Sequence, residues 1–389
     1  DVCSSDLTDA QQATTTLVYG LLSDSRYAYR PRKLDDQLSA EIFRRYFDSL
    51  DSDKLFFTAG DMGRFAAYRT TLDDSIKNQD LKPAFDIFNT YTKRVDERVA
   101  YARSLLAKPF DFSVKESWAF DREKASWATD TAALNEIWRK YVKNDALRLK
   151  LAGRSQDEIR KTLDKRYAQL GQRVHELRGD DVFENFMNAY AISIDPHTSY
   201  MSPRSAENFN MQMRLSLEGI GAVLQRQDDF VVIRTIVPGG PVAMGKQIKV
   251  GDRVAAVGQG DGAMTDVVGW RIDDVVDLIR GKKGTKVRLD IIPADVGVDG
   301  PHKLVTIVRD KVKLEEQAAS KSIIDVGGKH IGVITLPGFY LDFEAARRGD
   351  PDARSATTDT ARLLGELKAE HVDGVVMDLR ENGGGSLVE

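Results

Sequence analysis

Ser216-Leu217-Glu218-Gly219-Ile220-Gly221-Ala222-Val223-Leu224 decides how this chain is read. Two glycines bracket one apolar residue, and an apolar strand comes next. Glycine tolerates positive φ and lets a ligand come close to the backbone. Successive exposed N–H groups in such a turn form a nest for an anion, a peptide's terminal carboxylate included. The tetrapeptide alone reads more readily as an ordinary Gly-rich turn. The residues C-terminal to it supply a context.

After Leu224 comes Asp228-Asp229 and then a strand, Phe230 to Ile236. Pro238-Gly239-Gly240-Pro241 turns into a short helix, and Val250-Gly251-Asp252-Arg253 turns into another strand. Ile272, Val275, Val276 and Ile279 fall at i, i+3, i+4 and i+7, one stripe of an amphipathic helix. Gly281 ends that helix and Gly284 opens the next turn. Val287, Leu289 and Ile291 alternate with polar residues as a half-buried strand does, and Leu304 to Val308 closes the sheet. The plain reading of the helical stripe is core packing, which leaves one or two of its residues for a ligand.

The order of loop, Gly-Asp turn and helix resembles a PDZ domain over residues 213–312. That resemblance implies that an extended peptide adds as a strand beside Ile220 to Leu224. Its carboxylate would sit on the N–H groups around Gly219 to Gly221, with Glu218, Gly219, Ile220 and Gly221 counted as peptide-binding. Its last side chain would enter a groove lined by Ile220, Ile272, Val275, Val276 and Ile279.

Working outward, the chain before this module is helical. Leu38, Ile42, Phe43, Tyr46, Phe47 and Leu50 mark one helical face; Phe85, Phe88, Val95, Val99 and Ala102 mark a second; Leu134, Ile137, Trp138 and Tyr141 mark a third. Ser155-Gln156-Asp157-Glu158 is a capping box. Asp180 or Asp181 is placed to cap the helix that carries Val182, Phe183, Phe186, Met187 and Tyr190. A helical domain over 8–205 is expected. The prolines of Asp195-Pro196-His197-Thr198-Ser199-Tyr200-Met201-Ser202-Pro203 make a loop, and His197 there has no second ligand at metal-binding spacing.

After the module, Lys329 to Leu336 reads as a strand, Thr358 to Lys368 as a helix and Val372 to Leu379 as a buried strand. Strand, helix, strand predicts a parallel unit with a site at the strand ends. That end is Arg380-Glu381-Asn382-Gly383-Gly384-Gly385. A bare glycine triplet can cradle phosphate or supply N–H groups to an oxyanion. The chain has no G-x-G-x-x-G and no Gly-Lys-Ser/Thr at this place.

The bulk numbers agree with several domains: 389 residues exceed one compact core, and 42% hydrophobic with 30% charged residues is a globular composition. A net charge of −4 leaves no basic footprint for nucleic acid. No run approaches the roughly eighteen apolar residues of a membrane span. Cys3 is the sole cysteine, so no intrachain disulfide and no cysteine-based metal site can form. The first seven residues read as adapter-derived and foreign to the protein. The last ones stop after a strand-to-loop pattern, so the chain reads as a piece of a longer protein.

Ile-Asp-Pro-His-Thr (194–198), Ser-Leu-Glu-Gly-Ile-Gly-Ala-Val-Leu (216–224) and Asp-Leu-Arg-Glu-Asn-Gly-Gly-Gly (378–385) stand in order. Together they resemble the tail-specific protease, or carboxy-terminal processing peptidase, family, in its Gram-negative periplasmic form. The resemblance implies a multi-domain α+β chain: a helical N-terminal domain, a PDZ-like β domain and, over 313–389, the start of an α/β protease core. It implies a serine endopeptidase with a Ser–Lys dyad and no cofactor, acting on the C-termini of unfolded or tagged proteins in the periplasm. A lipoprotein adaptor enters as a candidate partner. In this family the nucleophile and the lysine lie beyond the position of Glu389, so this chain carries neither. Ser386 comes directly after the glycines, where the family has no nucleophile. Asp378, Arg380 and Asn382 carry over as site architecture, with Gly383 and Gly384 as loop residues. Two rivals stay open at this stage: a non-catalytic PDZ adaptor or scaffold, and a nucleotide-dependent α/β enzyme.

Overall fold

In a computed structural model the residues described are 7–23, 26–28, 30–297, 300–351 and 353–389. The foreign-looking start, Cys3 included, falls outside them except for Leu7. The chain divides into two units, the first running to Ser202 and the second from Pro203 to Glu389.

The first unit is helical: α1 (Asp9–Ser23), α2 (Asp36–Asp51), α3 (Ala59–Arg64), α4 (Leu72–Lys77), α5 (Lys82–Leu105), α6 (Thr131–Leu151), α7 (Gln156–His175) and α8 (Gly179–Ile194). The faces read from the sequence are its cores. Leu38, Ile42, Tyr46 and Phe47 of α2 pack with Phe85 and Phe88 of α5 and Phe186 and Tyr190 of α8. Leu134 and Trp138 of α6 pack with Leu163 and Tyr167 of α7 and Ala102 of α5. Each such side chain removed from water contributes about 1.5–3 kcal/mol, which holds helices too short to persist alone. The capping box forms at both ends, Ser155 N–H donating to Glu158 and Glu158 N–H to Ser155 Oγ. At α8 the expectation is corrected. Arg178 is the N-cap, and Asp181, at the third helical position, accepts from the Arg178 N–H. An acid there can still bond back to the N-cap N–H, so the helix starts two or three residues earlier than a cap at Asp180 or Asp181 would give. The His197 loop is closed locally, the His197 N–H and ring both meeting Asp195 Oδ1.

The second unit opens with α9 (Pro203–Arg214) and β1 (Ser216–Gly219). Then come β2 (Ala222–Gln227), β3 (Phe230–Ile236), α10 (Pro241–Gly245), β4 (Arg253–Gln259), β5 (Met264–Asp266), α11 (Ile272–Ile279), β6 (Lys286–Ile292), β7 (Lys303–Val308) and β8 (Asp310–Lys313). The main sheet has the order β2-β3-β4-β6-β7, antiparallel throughout, with β5 paired to β4. β2 is therefore an edge strand. β1 does not join this sheet; it pairs antiparallel with β8, Gly219 opposite Asp310.

The chain continues through β9 (Ser320–Val326), β10 (Lys329–Thr335), α12 (Phe343–Arg347), α13 (Ala356–Ala369) and β11 (Gly374–Asp378). β9 and β10 form a hairpin, and β11 lies parallel to β10 after the α13 crossover. Leu363 and Leu367 of α13 pack with Ile334 of β10. The expectation of a buried strand over 372–379 is corrected. Val375, Val376 and Met377 are 44, 50 and 42% exposed. β11 is hydrogen-bonded to β10 alone and closes the order β11-β10-β9 as an edge. An apolar run reports what a strand could bury, not which neighbours cover it.

Candidate peptide groove and glycine loop

The two glycines of the opening motif do different work. Gly219 finishes β1 in ordinary pairing. Gly221 has φ 75°, and a Cβ built there would stand 2.9 Å from the Gly240 Cα. Only glycine fits that approach without displacing backbone. The carbonyls on both sides of the bend are taken: Val242 N–H donates to Ile220 O and Val237 N–H to Gly221 O, each at 2.9 Å. A trans peptide points its N–H opposite its C=O. The N–H groups of Gly221 and Ala222 therefore face away from α10 and β3. The pairing agrees. Ala222 stands opposite Ile236 between widely spaced bonds, so its own N–H and C=O point to the open edge of β2. Two N–H groups at the head of a free strand edge are what an incoming chain end needs.

α11 packs against β2 and β4 and forms the other side of this edge. The stripe predicted as groove is divided. Ile220, Val275 and Ile279 are 3, 0 and 2% exposed and belong to the core cluster with Ile233, Val254 and Leu289. Ile272 and Val276 are half-buried and, with Leu224, are the members placed to meet a side chain from outside. Glu218 is exposed, and its carboxylate accepts from the Lys283 N–H at 3.1 Å. It fixes the turn after α11 instead of presenting a free charge to a ligand.

That turn also depends on a residue that sequence pattern does not mark. Arg309 is 3% exposed. Its Nε donates to Ile279 O at 2.8 Å, Nη2 to Leu278 O at 3.0 Å and Gln259 Oε1 at 2.7 Å, and Nη1 to Thr285 Oγ1 at 3.0 Å and Lys286 O at 3.4 Å. The guanidinium thereby ties the last carbonyls of α11 to β4 and β6. Burial pushes it down from its ordinary value, and a rigid fork of five donors satisfies this many acceptors where an ammonium cannot.

The second cluster lies at the carboxyl end of β11. Asp378 binds Arg380 through Arg380 N–H, Nε and Nη2 at 3.0, 2.9 and 2.7 Å. The guanidinium holds the Asp378 carboxyl at about 2. Asn382 is the brace of the loop: Nδ2 donates to Leu336 O at 2.9 Å, and Oδ1 accepts from Gly384 N–H at 2.8 Å. Phe339 completes it, donating to Gly384 O and accepting from Ser386 N–H. The next residue, Tyr340, donates to Asp359 Oδ2 at 2.6 Å and accepts from Ala319 N–H. Asp378, Arg380, Asn382, Gly383 and Gly384 thus stand together at the carboxyl end of β11. The Gly384 N–H is committed to Asn382 Oδ1, so it is not free to donate to an oxyanion in this arrangement. Among the described residues no group of His, Cys, Asp and Glu could hold a metal ion, and no helix is long and apolar enough to cross a membrane.

Three family models match this chain in sequence. Residues 21–204 match the tail-specific protease N-terminal domain, 208–292 the PDZ domain and 330–389 peptidase family S41. A tail-specific protease from Haemophilus influenzae is 41% identical over an alignment that takes in the whole of this chain and 54% of that protein. The chain belongs to the tail-specific protease family. It spans about half the length of the Haemophilus relative. The carboxy-terminal processing protease CtpA of Bacillus subtilis is 27% identical over 57% of this chain and 42% of its own. Among solved structures, the PDZ domain of a carboxy-terminal protease from Vibrio cholerae in complex with peptide is 57% identical over 26% of this chain and all of that one, with a TM-score of 0.25.

Family membership gives the two clusters their names. The β2–α11 edge is in the PDZ match, and the Asp378–Gly384 loop is in the peptidase S41 match. Phe339 and Arg309 belong to neither set of expected site residues. Pro337-Gly338-Phe339-Tyr340 gave the one available signal, a turn leaving a strand at the level of the glycine loop.

Proposed function

We propose that the full protein is a periplasmic serine endopeptidase that grips the C-terminal tails of unfolded or tagged proteins and cleaves them with a Ser–Lys dyad encoded beyond Glu389. One observation carries the reading: the N–H groups of Gly221 and Ala222 head an unpaired strand edge beside α11. A tail adds there as a strand, its carboxylate on those N–H groups and its last apolar side chain among Leu224, Ile272 and Val276. The dyad works through a neutral lysine that deprotonates the serine, and burial lowers the lysine pKa enough to allow it. The Asn382-braced loop is the part of that centre this chain contributes.

The test compares the chain ending at Glu389 with the full-length protein on a reporter carrying an apolar C-terminal tail. The expected result is binding by both and cleavage by the full-length protein alone, lost when its downstream serine is replaced. Hydrolysis by the shorter chain that survives Ser386→Ala would overturn the placement of the dyad.

A further inference from the structure

A glycine loop has no side chains to fix it. Gly384 and Gly385 sit at φ 94° and 144°, a region that other residues rarely adopt. What the backbone of the loop is bonded to therefore sets its place. Asn382 ties it to Leu336 O. Phe339 adds two bonds, its N–H to Gly384 O at 2.9 Å and the Ser386 N–H to its carbonyl at 2.7 Å. A Cβ on Gly385 would collide with Phe339 O, so the two backbones lie flush. Phe339 itself lies beyond the end of β10, in the turn that opens with Pro337-Gly338, and needs an anchor of its own. Tyr340 supplies it. Its carbonyl accepts from Ala356 N–H at 2.9 Å, one of the first-turn donors that α13 cannot satisfy internally. Its side chain is buried, and its hydroxyl donates to Asp359 Oδ2 at 2.6 Å, the short length of a bond to an ionised carboxylate. Ala319 N–H donates to the same hydroxyl at 3.1 Å. Asp359 is held in turn: Arg354 Nε donates to Oδ2 and Arg362 Nη2 to Oδ1, each at 3.2 Å. Burial pushes its carboxyl up, but hydrogen bonds from Tyr340, Arg362 and Arg354 outweigh burial and keep it below its ordinary value. The carboxylate is thus fixed on a helix, and Tyr340 carries that fixity one residue along the chain to Phe339.

We propose that Tyr340 and Asp359 are positioning residues of the cleavage centre: their hydrogen bond holds the Phe339 backbone where it seats the glycine loop. The proposal rests on the reading of that loop as part of a peptidase centre. Misplacing a catalytic group by about 1 Å can cost on the order of a hundredfold in rate. Tail capture at the head of β2 draws on none of these atoms, so the effect falls on turnover and not on affinity.

The test uses the full-length protein and a reporter with an apolar tail. It compares the parent with Tyr340→Phe, Asp359→Ala, Asp359→Asn and the double variant Tyr340→Phe, Asp359→Ala, all well below their unfolding midpoints. Each is measured for kcat, KM, the tail dissociation constant and hydrogen exchange at the Ser386 amide. Tyr340→Phe and Asp359→Ala each lower kcat about tenfold, leave KM and the tail dissociation constant unchanged, and speed Ser386 exchange. The double variant loses no more than either single one, because both break the same bond. Asp359→Asn, which keeps an oxygen for the hydroxyl, recovers most of kcat. If Tyr340→Phe does not fold, the two Asp359 variants decide between themselves. Parental kcat in Tyr340→Phe or Asp359→Ala overturns the proposal while the peptidase reading stands. Losses that add in the double variant, or that raise KM and weaken tail binding along with kcat, overturn it too, because they show general destabilisation. A parent that does not hydrolyse the reporter overturns the reading of the loop, and the proposal with it.

Discussion

Gly221→Ala is the substitution with the most specific expected consequence. The residue sits at φ 75°, where an alanine costs roughly 1–2 kcal/mol. Its Cβ would also stand 2.9 Å from the Gly240 Cα and 3.4 Å from both Pro241 Cδ and Val312 Cγ2. The nearest of these atoms is backbone, so a side chain cannot rotate away to relieve the contact. The bend must open, and the bonds from Val242 to Ile220 O and from Val237 to Gly221 O go with it. The total expected is about 2–3 kcal/mol. If half of it falls on the bound state, tail affinity drops about tenfold. Gly239→Ala is the matched control. It has φ 73° with nothing within 4 Å of its Cβ, so it carries the conformational cost without the clash. The assay is a fluorescence-anisotropy titration with a labelled apolar tail peptide, alongside hydrogen exchange at the Val237 and Val242 amides. Gly221→Ala should lose affinity and protection at both amides; Gly239→Ala should keep both. Equal effects of the two substitutions would refute the claim that close approach to Gly240 shapes the pocket.

The same geometry sets two further outcomes. Arg309→Lys should cost about 2–4 kcal/mol in urea unfolding and weaken the α11 side of the groove, because an ammonium leaves some of the carbonyls of Leu278, Ile279 and Lys286 without donors; a change within about 0.5 kcal/mol would contradict the staple role. Asp378 should titrate near 2 when its carboxyl carbon is followed by NMR. Its folded value lies below the ordinary one of about 3.9, so its pairing with Arg380 supports the fold fully above that value and is lost as pH falls toward 2. Arg380→Ala should return the titration to the ordinary carboxylate range, and a parent already titrating there would refute the pairing.

Much of this architecture was legible in local pattern. The i, i+3, i+4, i+7 stripe placed α11, and alternation at Val287, Leu289 and Ile291 placed β6. Strand, helix, strand gave the parallel pair of β10 and β11. The capping box at Ser155 formed as spaced. What escaped depends on distant partners. β1 and β8 pair across the whole PDZ-like module, and nothing within either segment marks the other. Pro203 closes the stretch read as a loop and no element is expected over 206–212, yet a proline at the first helical position begins a helix as readily as it ends one, and α9 starts there. Arg309 is an unremarkable basic residue in sequence; its meaning comes from carbonyls that converge on it from α11 and β6. Periodicity named the groove stripe but could not divide it. Whether Val276 or Val275 faces outward depends on how the helix is rotated on its sheet, and only packing sets that.

The account stands or falls on the free end of a polypeptide being held at the head of β2. The direct measurement is the dissociation constant of this chain for one apolar-ended peptide with a free and with an amidated C-terminus, at the same salt. Tighter binding of the free acid by about tenfold or more is the predicted result. Equal binding of the two would contradict the account.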